Sequence, residues 1–298
     1  MRKPMSFWRE VTEVVDGEQV TKYVPNTNIP SIEEIRHTWC FGLPLSQENG
    51  GLMPDADIKM YLDGAIAEVE RRLGIFLKPT VIMCNPEERG IASEDYDIEE
   101  HPYDYNVRAW QHYGFLQLRQ RPLIELGTFQ MVLPNGNIIM DFYRDNDTKR
   151  WVKIDKPGAQ VNIIPYAGDP TLFAMIGGTS NGFPFVTGTL NSHLPHMFYM
   201  DYVAGFEQYK IPKEIHEVIA KVCAINVLGV AGDAVMVGIS SISTSLDGLS
   251  ESTSLTASAE FATYGAHIKQ FKTEVEDFFK PKGGGGRSAY RGITMTGL

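Results

Sequence analysis

Residues 198–219, FYMDYVAGFEQYKIPKEIHEVI, constrain the fold more than any other stretch, because a strand, a turn and a helix start follow one another there. Tyr199, Tyr202, Val203 and Phe206 are residue types that strands favour, and Gly205 interrupts them. The fixed φ of Pro212 suits a first helical turn, and Ile215, Val218, Ile219, Val222 and Ile225 then recur at helical spacing, predicting a helix over 213–229. Tyr202, Gly205 and Pro212 are the expected structural turn.

The flanks alternate between helical and strand-like patterns. Val11, Val14, Val15, Val20 and Tyr23 surround an Asp16-Gly17 turn, which reads as a hairpin or an extended arm. Ser31 with Glu34 has the spacing of a capping box for a short helix ending near Trp39. Asp57 opens a stronger helix in which Ile58, Tyr61, Leu62, Ala65, Ile66, Val69 and Leu73 share a face until Gly74 stops it. Residues 85–104 carry Glu87, Glu88, Glu94, Asp95, Asp97, Glu99, Glu100 and Asp104 and read as an exposed acidic loop. From 115 to 206 the period is two, with turns at Pro134-Asn135-Gly136-Asn137 and Lys156-Pro157-Gly158, predicting an antiparallel β region inserted between helices. Gly238–Thr256 reads as a Ser-rich loop around Asp247-Gly248. From Leu255 to Phe279 an apolar set predicts a long helix ending before Pro281.

The expected fold class is α+β: a helical-bundle core with an inserted antiparallel β region and extended terminal arms. The expected domains are an N-terminal arm or hairpin at 1–30, a helical core from 31–84 and 207–282, an acidic loop and inserted β-rich region at 85–206, and a flexible C-terminal arm at 283–298. Gly283, Gly284, Gly285 and Gly286 form a hinge, and the basic tail after it is too poor in apolar residues to fold alone.

Composition narrows the function classes. With 27 Lys and Arg against 37 Asp and Glu, the formal charge of −10 argues against a surface that holds phosphates by counterion release. A solvated acidic protein fits, and so does a wall that faces DNA without gripping it. The 3 cysteines, Cys40, Cys84 and Cys223, are far apart and suggest no disulfide framework, so a reducing compartment is expected. The charged N-terminus reads as neither a signal peptide nor a membrane span, and assembly in the cytoplasm is expected.

The motifs that could carry chemistry are incomplete. Gly178-Thr179-Ser180-Asn181-Gly182 matches the nucleophile pattern of hydrolases, but Gly-Phe-Pro-Phe follows instead of the helix that supports an oxyanion hole. His193 and His196 lack companions at metal-ligand spacing, and Asp145-Asn146-Asp147 lacks the glycine and distal glutamate of a calcium loop. Neither of the Gly-rich nucleotide-binding patterns is present. Trp39, Trp110 and Trp151, with neighbouring tyrosines, could stack on bases but read more readily as core or interface residues. The chain is therefore expected to be no enzyme, with no catalytic, cofactor or metal residues.

Tyr202-Val203-Ala204-Gly205-Phe206, followed by Ile211-Pro212 and an apolar helix, resembles the head-tail connector (adaptor) proteins of tailed bacteriophages. The segment around Ser245-Leu246-Asp247-Gly248-Leu249-Ser250 resembles a loop of larger connector-like phage proteins and stands in the same order. The resemblance spans about residues 31–280, and the large β insertion makes this an enlarged variant. It implies a structural virion protein at the head-tail interface, forming a homo-oligomeric ring, usually of about twelve copies, beneath the portal. Such a ring extends the DNA channel, through which DNA passes without sequence-specific binding, and offers the attachment site for the tail. Its implied partners are other copies of the chain, the portal protein and a tail-ward neck or tail protein, with no membrane and no cofactor. A basic C-terminal arm would bind the portal through Arg287, Tyr290, Arg291 and Leu298, since aromatic and Arg side chains dominate interface energetics. A head-closure or tail-terminator protein, or a hydrolase using Ser180, are the alternatives.

Overall fold

The computed structural model describes residues 4–15, 18–43, 45, 53–106, 115–132, 136–143, 149, 151–163, 193–208, 210–235, 241–246, 249–254 and 264–280. The protein is of the mixed α+β class, and it divides into two compact units.

The first unit combines Ser6–Leu73 with Gln208–Ala289. It begins with an antiparallel ribbon of β1 (Trp8–Val15) and β2 (Glu18–Pro25), paired without a register shift from Trp8 opposite Pro25 to Val15 opposite Glu18. The short helix α1 (Ile32–Glu34) is capped by Ser31, whose Oγ accepts the Glu34 N–H at 3.1 Å, and it runs on as a π-helical turn over Ile35–Trp39. Helix α2 (Asp55–Leu73) buries Ile58, Leu62, Ala65, Ile66, Val69 and Leu73, the face that the spacing of these residues predicts. It stops at Gly74, whose φ of 66° is the left-handed conformation that glycine adopts without strain.

Helix α3 (Lys213–Val235) starts directly after Pro212, whose carbonyl accepts the N–H groups of Ile215 and His216 at 3.1 Å each. Ile215, Ile219, Cys223, Val227 and Leu228 are fully buried. The window Lys213–Gly232 is long and apolar enough to cross a membrane by length and composition, but most of it is buried within the protein, against α2, the π-helical turn and α4 (Gly265–Phe279). Charged groups frame this packing: Lys221 meets Glu274 at 2.9 Å, Arg72 meets Glu276 at 3.0 Å, and His216 lies 3.4 Å from Glu34.

One expectation changes in this unit. The Ser-rich stretch expected as a loop contains two strands, β12 (Ser241–Leu246) and β13 (Leu249–Ser254), paired antiparallel. Only Ile242 and Leu246 in β12 and Leu249 in β13 are apolar, so the period that betrays a strand is faint, although Asp-Gly between two runs is the composition of a tight hairpin turn. The long C-terminal helix is described from Gly265, and its expected beginning at Leu255 lies outside the described residues.

The second unit contains Gly74–Glu207. Its main sheet has the order β4 (Ile98–Glu100), β3 (Thr80–Cys84), β11 (His193–Ala204), β7 (Leu123–Val132), β8 (Ile138–Asp141), and β5 (Tyr103–Asn106) also pairs with β11. A smaller antiparallel sheet joins β6 (Phe115–Gln117), β10 (Gln160–Ile163) and β9 (Val152–Asp155). The expected antiparallel region is present between β6 and β11, while β3 and β4 run parallel to each other. β11 is the central strand. Its side chains alternate: Phe198, Met200, Tyr202 and Ala204 enter the large core with Phe129, Leu126 and Phe142, whereas Val203 joins Val81, Met83 and Ile124 on the opposite face.

The acidic stretch is more ordered than an exposed loop. Glu87–Arg89 and Ser93–Asp95 form short 3-10 turns, β4 and β5 enter the main sheet, and Glu100 is buried. Its charges at 87, 88, 94, 95 and 99 are exposed, which is what made the whole stretch look like a solvated loop.

Candidate functional site

The described structure places the Tyr202-to-Pro212 segment where the chain leaves the sheet unit and enters α3. Tyr202 is fully buried. Its hydroxyl donates to Glu100 Oε2 at 3.0 Å, lies 3.1 Å from the Tyr103 hydroxyl, and accepts the Gln120 N–H at 3.3 Å. Tyr103 donates to the same carboxylate oxygen at 2.9 Å and accepts the Arg119 N–H at 3.1 Å. Glu100 is thus bound by two phenols, with Arg119 Nη1 at 3.5 Å, while its buried Oε1 meets no donor among the described residues. Burial, with Tyr103 and Glu100 close by, drives the Tyr202 phenol far above its ordinary pKa; burial and Glu100 likewise raise Tyr103. Both phenols remain protonated donors, so the cluster works as a pin between β11, β4 and β5.

Asp201 makes a second pin on the other face of β11. It is 2 % exposed, accepts the Cys84 N–H at 2.9 Å and the Arg89 Nη1 proton at 2.7 Å on Oδ1, and takes the Thr128 hydroxyl at 2.6 Å on Oδ2. A buried carboxylate needs this degree of saturation. Arg89 is raised first by its hydrogen bond to Asp201.

Gly205 ends the strand with φ of 111°, and its N–H donates to the Pro122 carbonyl at 2.7 Å. A Cβ at this position would collide with the Lys78 carbonyl oxygen, so two independent demands select glycine.

The other expected residues fall as follows. His193 and His196 lie on β11, not in a loop, where His193 Nε2 is 3.1 Å from Asp104 Oδ2 and the His196 N–H donates to Asp104 Oδ1 at 2.9 Å. Partial burial opposes the shift, but these two contacts hold Asp104 below the usual carboxylate pKa. Pro195 and His196, the latter with φ of 55°, occupy the interval where pairing with β5 shifts register, a position where a strand tolerates proline. His196 stacks on His101 at 6.1 Å between ring centroids, yet no described group of His, Cys, Asp and Glu is arranged to hold a metal ion.

Trp39 is edge-on to Phe271 and Trp151 is buried, so neither is an open stacking platform. Cys40, Cys84 and Cys223 are free and buried, and burial pushes the Cys40 and Cys84 thiols up to about 12. Ser180, Trp110, Asp145-Asn146-Asp147, the hinge Gly283, Gly284, Gly285 and Gly286, and the arm residues Arg287, Tyr290, Arg291 and Leu298 lie outside the described residues.

Glu100, Tyr103 and Asp201 were missed in the sequence. A period-two signal was present in Tyr103 and Tyr105, and Asp201 stands alone inside an aromatic strand, which marks a buried polar group.

No family model and no curated protein sequence matches the chain. Among solved structures, a chain of "Neck of empty GTA particle computed with C6 symmetry" is similar at 15% identity and a TM-score of 0.35, covering 89% of this chain and 95% of that one. A chain of "Virion of native gene transfer agent (GTA) particle" is similar at 16% identity and a TM-score of 0.35, covering 74% and 82%. At that score neither likeness establishes a shared fold.

Proposed function

We propose that this protein is a structural virion component of the neck of a tailed-phage-like particle, an adaptor that forms a ring beneath the portal, extends the DNA channel and receives the tail. The observation that carries this reading is the Tyr202-to-Pro212 junction. Three of the residues that carry the resemblance to the connector family are closely constrained: Tyr202 is pinned by Glu100 and Tyr103, Gly205 has no room for a side chain, and Pro212 opens the buried helix. The motif is a structural junction and carries no chemistry.

The helices α2, α3 and α4 form the ring-building core in this reading, which speaks for an adaptor over a head-closure or tail-terminator barrel. The net charge of −10 suits a channel wall along which DNA slides. No residue is assigned a catalytic role. The arm of Arg287, Tyr290, Arg291 and Leu298, beyond the four glycines, attaches to a groove of the portal.

Deletion of residues 283–298 tests the arm. The truncated protein keeps the circular dichroism of the full chain and no longer sediments with portal-containing capsids; normal co-sedimentation would contradict this role.

A further inference from the structure

The β1–β2 ribbon is longer than its support. Its contacts with α2 gather at the base, where Trp8 Nε1 donates to Asp63 Oδ1 at 2.6 Å and Lys59 Nζ lies 5.7 Å from the Trp8 ring and 5.4 Å from the Tyr23 ring. From Val11 opposite Lys22 to Val15 opposite Glu18 the ribbon runs on for about 15 Å at the usual strand rise. Thr12, Glu13, Gln19 and Thr21 are exposed there, and Val14 is 70% exposed. Among the described residues neither strand pairs with a third. A lone two-stranded ribbon is marginal in water, and each free edge is a template for another strand.

The two edges match each other. In an antiparallel pair, residues alternate between exchanging N–H and C=O groups with the partner and pointing them away. The pairs that point away do so on both outer edges at the same level. The outer edge of β2 therefore offers donors and acceptors where the outer edge of β1 in a second copy, set level beside it, offers the complementary set.

Charge agrees with this register. It places Arg9 opposite Val24, Glu10 opposite Tyr23, Val11 opposite Lys22 and Glu13 opposite Val20, so no like charges face each other. Lys22 already reaches Glu13 on the diagonal at 2.7 Å within one ribbon, and the same diagonal between copies sets Lys22 of one against Glu13 of the next.

We infer that the β1–β2 ribbon is the zipper between neighbouring copies: β2 of one chain pairs antiparallel with β1 of the next, in the register of the ribbon itself. The contact is heterologous, so copies related by rotation repeat it until the ring closes and no edge is left open. This rests on the ring reading above and gives it an interface.

The test uses full-length Thr12→Cys and Thr21→Cys variants, co-expressed as a pair and expressed singly, treated with a short bismaleimide alone and on portal-containing particles. Each variant places its thiol on one edge, and the native cysteines are buried. The pair gives a covalent dimer of the chain and neither single variant does. Rings visible by electron microscopy without a dimer from the pair would overturn the zipper and leave the ring standing, as would a cross-link from either position to a different particle protein. Absence of any ring in the same micrographs would remove the ring reading and the zipper with it.

Discussion

β11 and α3 follow each other in the chain and are both deeply buried, yet they are held in opposite ways. β11 is fixed by polar groups on both faces, Asp201 with Arg89, Thr128 and the Cys84 N–H on one, and Tyr202 with Glu100 and Tyr103 on the other. α3 buries Ile215, Ile219, Val227 and Leu228 without one buried charged side chain among the described residues. Hydrogen bonds are directional and apolar contact is not. The strand therefore specifies one register, whereas the helix requires volume and pattern.

Substitutions can break or sharpen that contrast. Gly205→Ala has the largest expected effect, about 4 kcal/mol or more, because the φ of 111° and the Lys78 carbonyl both exclude a side chain. The measurement is the urea midpoint, and an unchanged midpoint would mean the strand end is not constrained as described. Arg89→Ala comes next. It leaves the Asp201 carboxylate buried without its cation, and the expected cost is about 2 kcal/mol, reduced from that of a fully buried pair because Arg89 is partly exposed. Lys in place of Arg89 should recover part of it. Ile219→Val on α3 removes one methylene and should cost about 1 kcal/mol, with no change in the slope of the urea transition. If Ile219→Val proved costlier than Arg89→Ala, the contrast between polar pins and apolar packing would be wrong.

The same contrast explains what the sequence disclosed. Apolar periodicity announced α2, α3 and the β1–β2 ribbon, because each alternates with its own surroundings at a fixed period. Thr80–Cys84 did not announce itself: all five residues are buried, so no alternation marks the strand, and Pro79 before it and Asn85-Pro86 after it were its only punctuation. The pins were hidden by distance. Tyr202 reaches Glu100 across 102 positions and Tyr103 across 99, and a single sequence holds no sign of which acid in a charged run turns inward. The strand-turn-helix character of 198–219 was legible. Its anchoring was not.

The ring beneath the portal is the central claim, and electron microscopy of the full-length protein bound to portal-containing particles tests it most directly. A closed ring of density coaxial with the portal channel, on its tail-ward side, is the predicted result. Particles whose portal vertex carries no such ring, in the presence of saturating protein, would contradict the account.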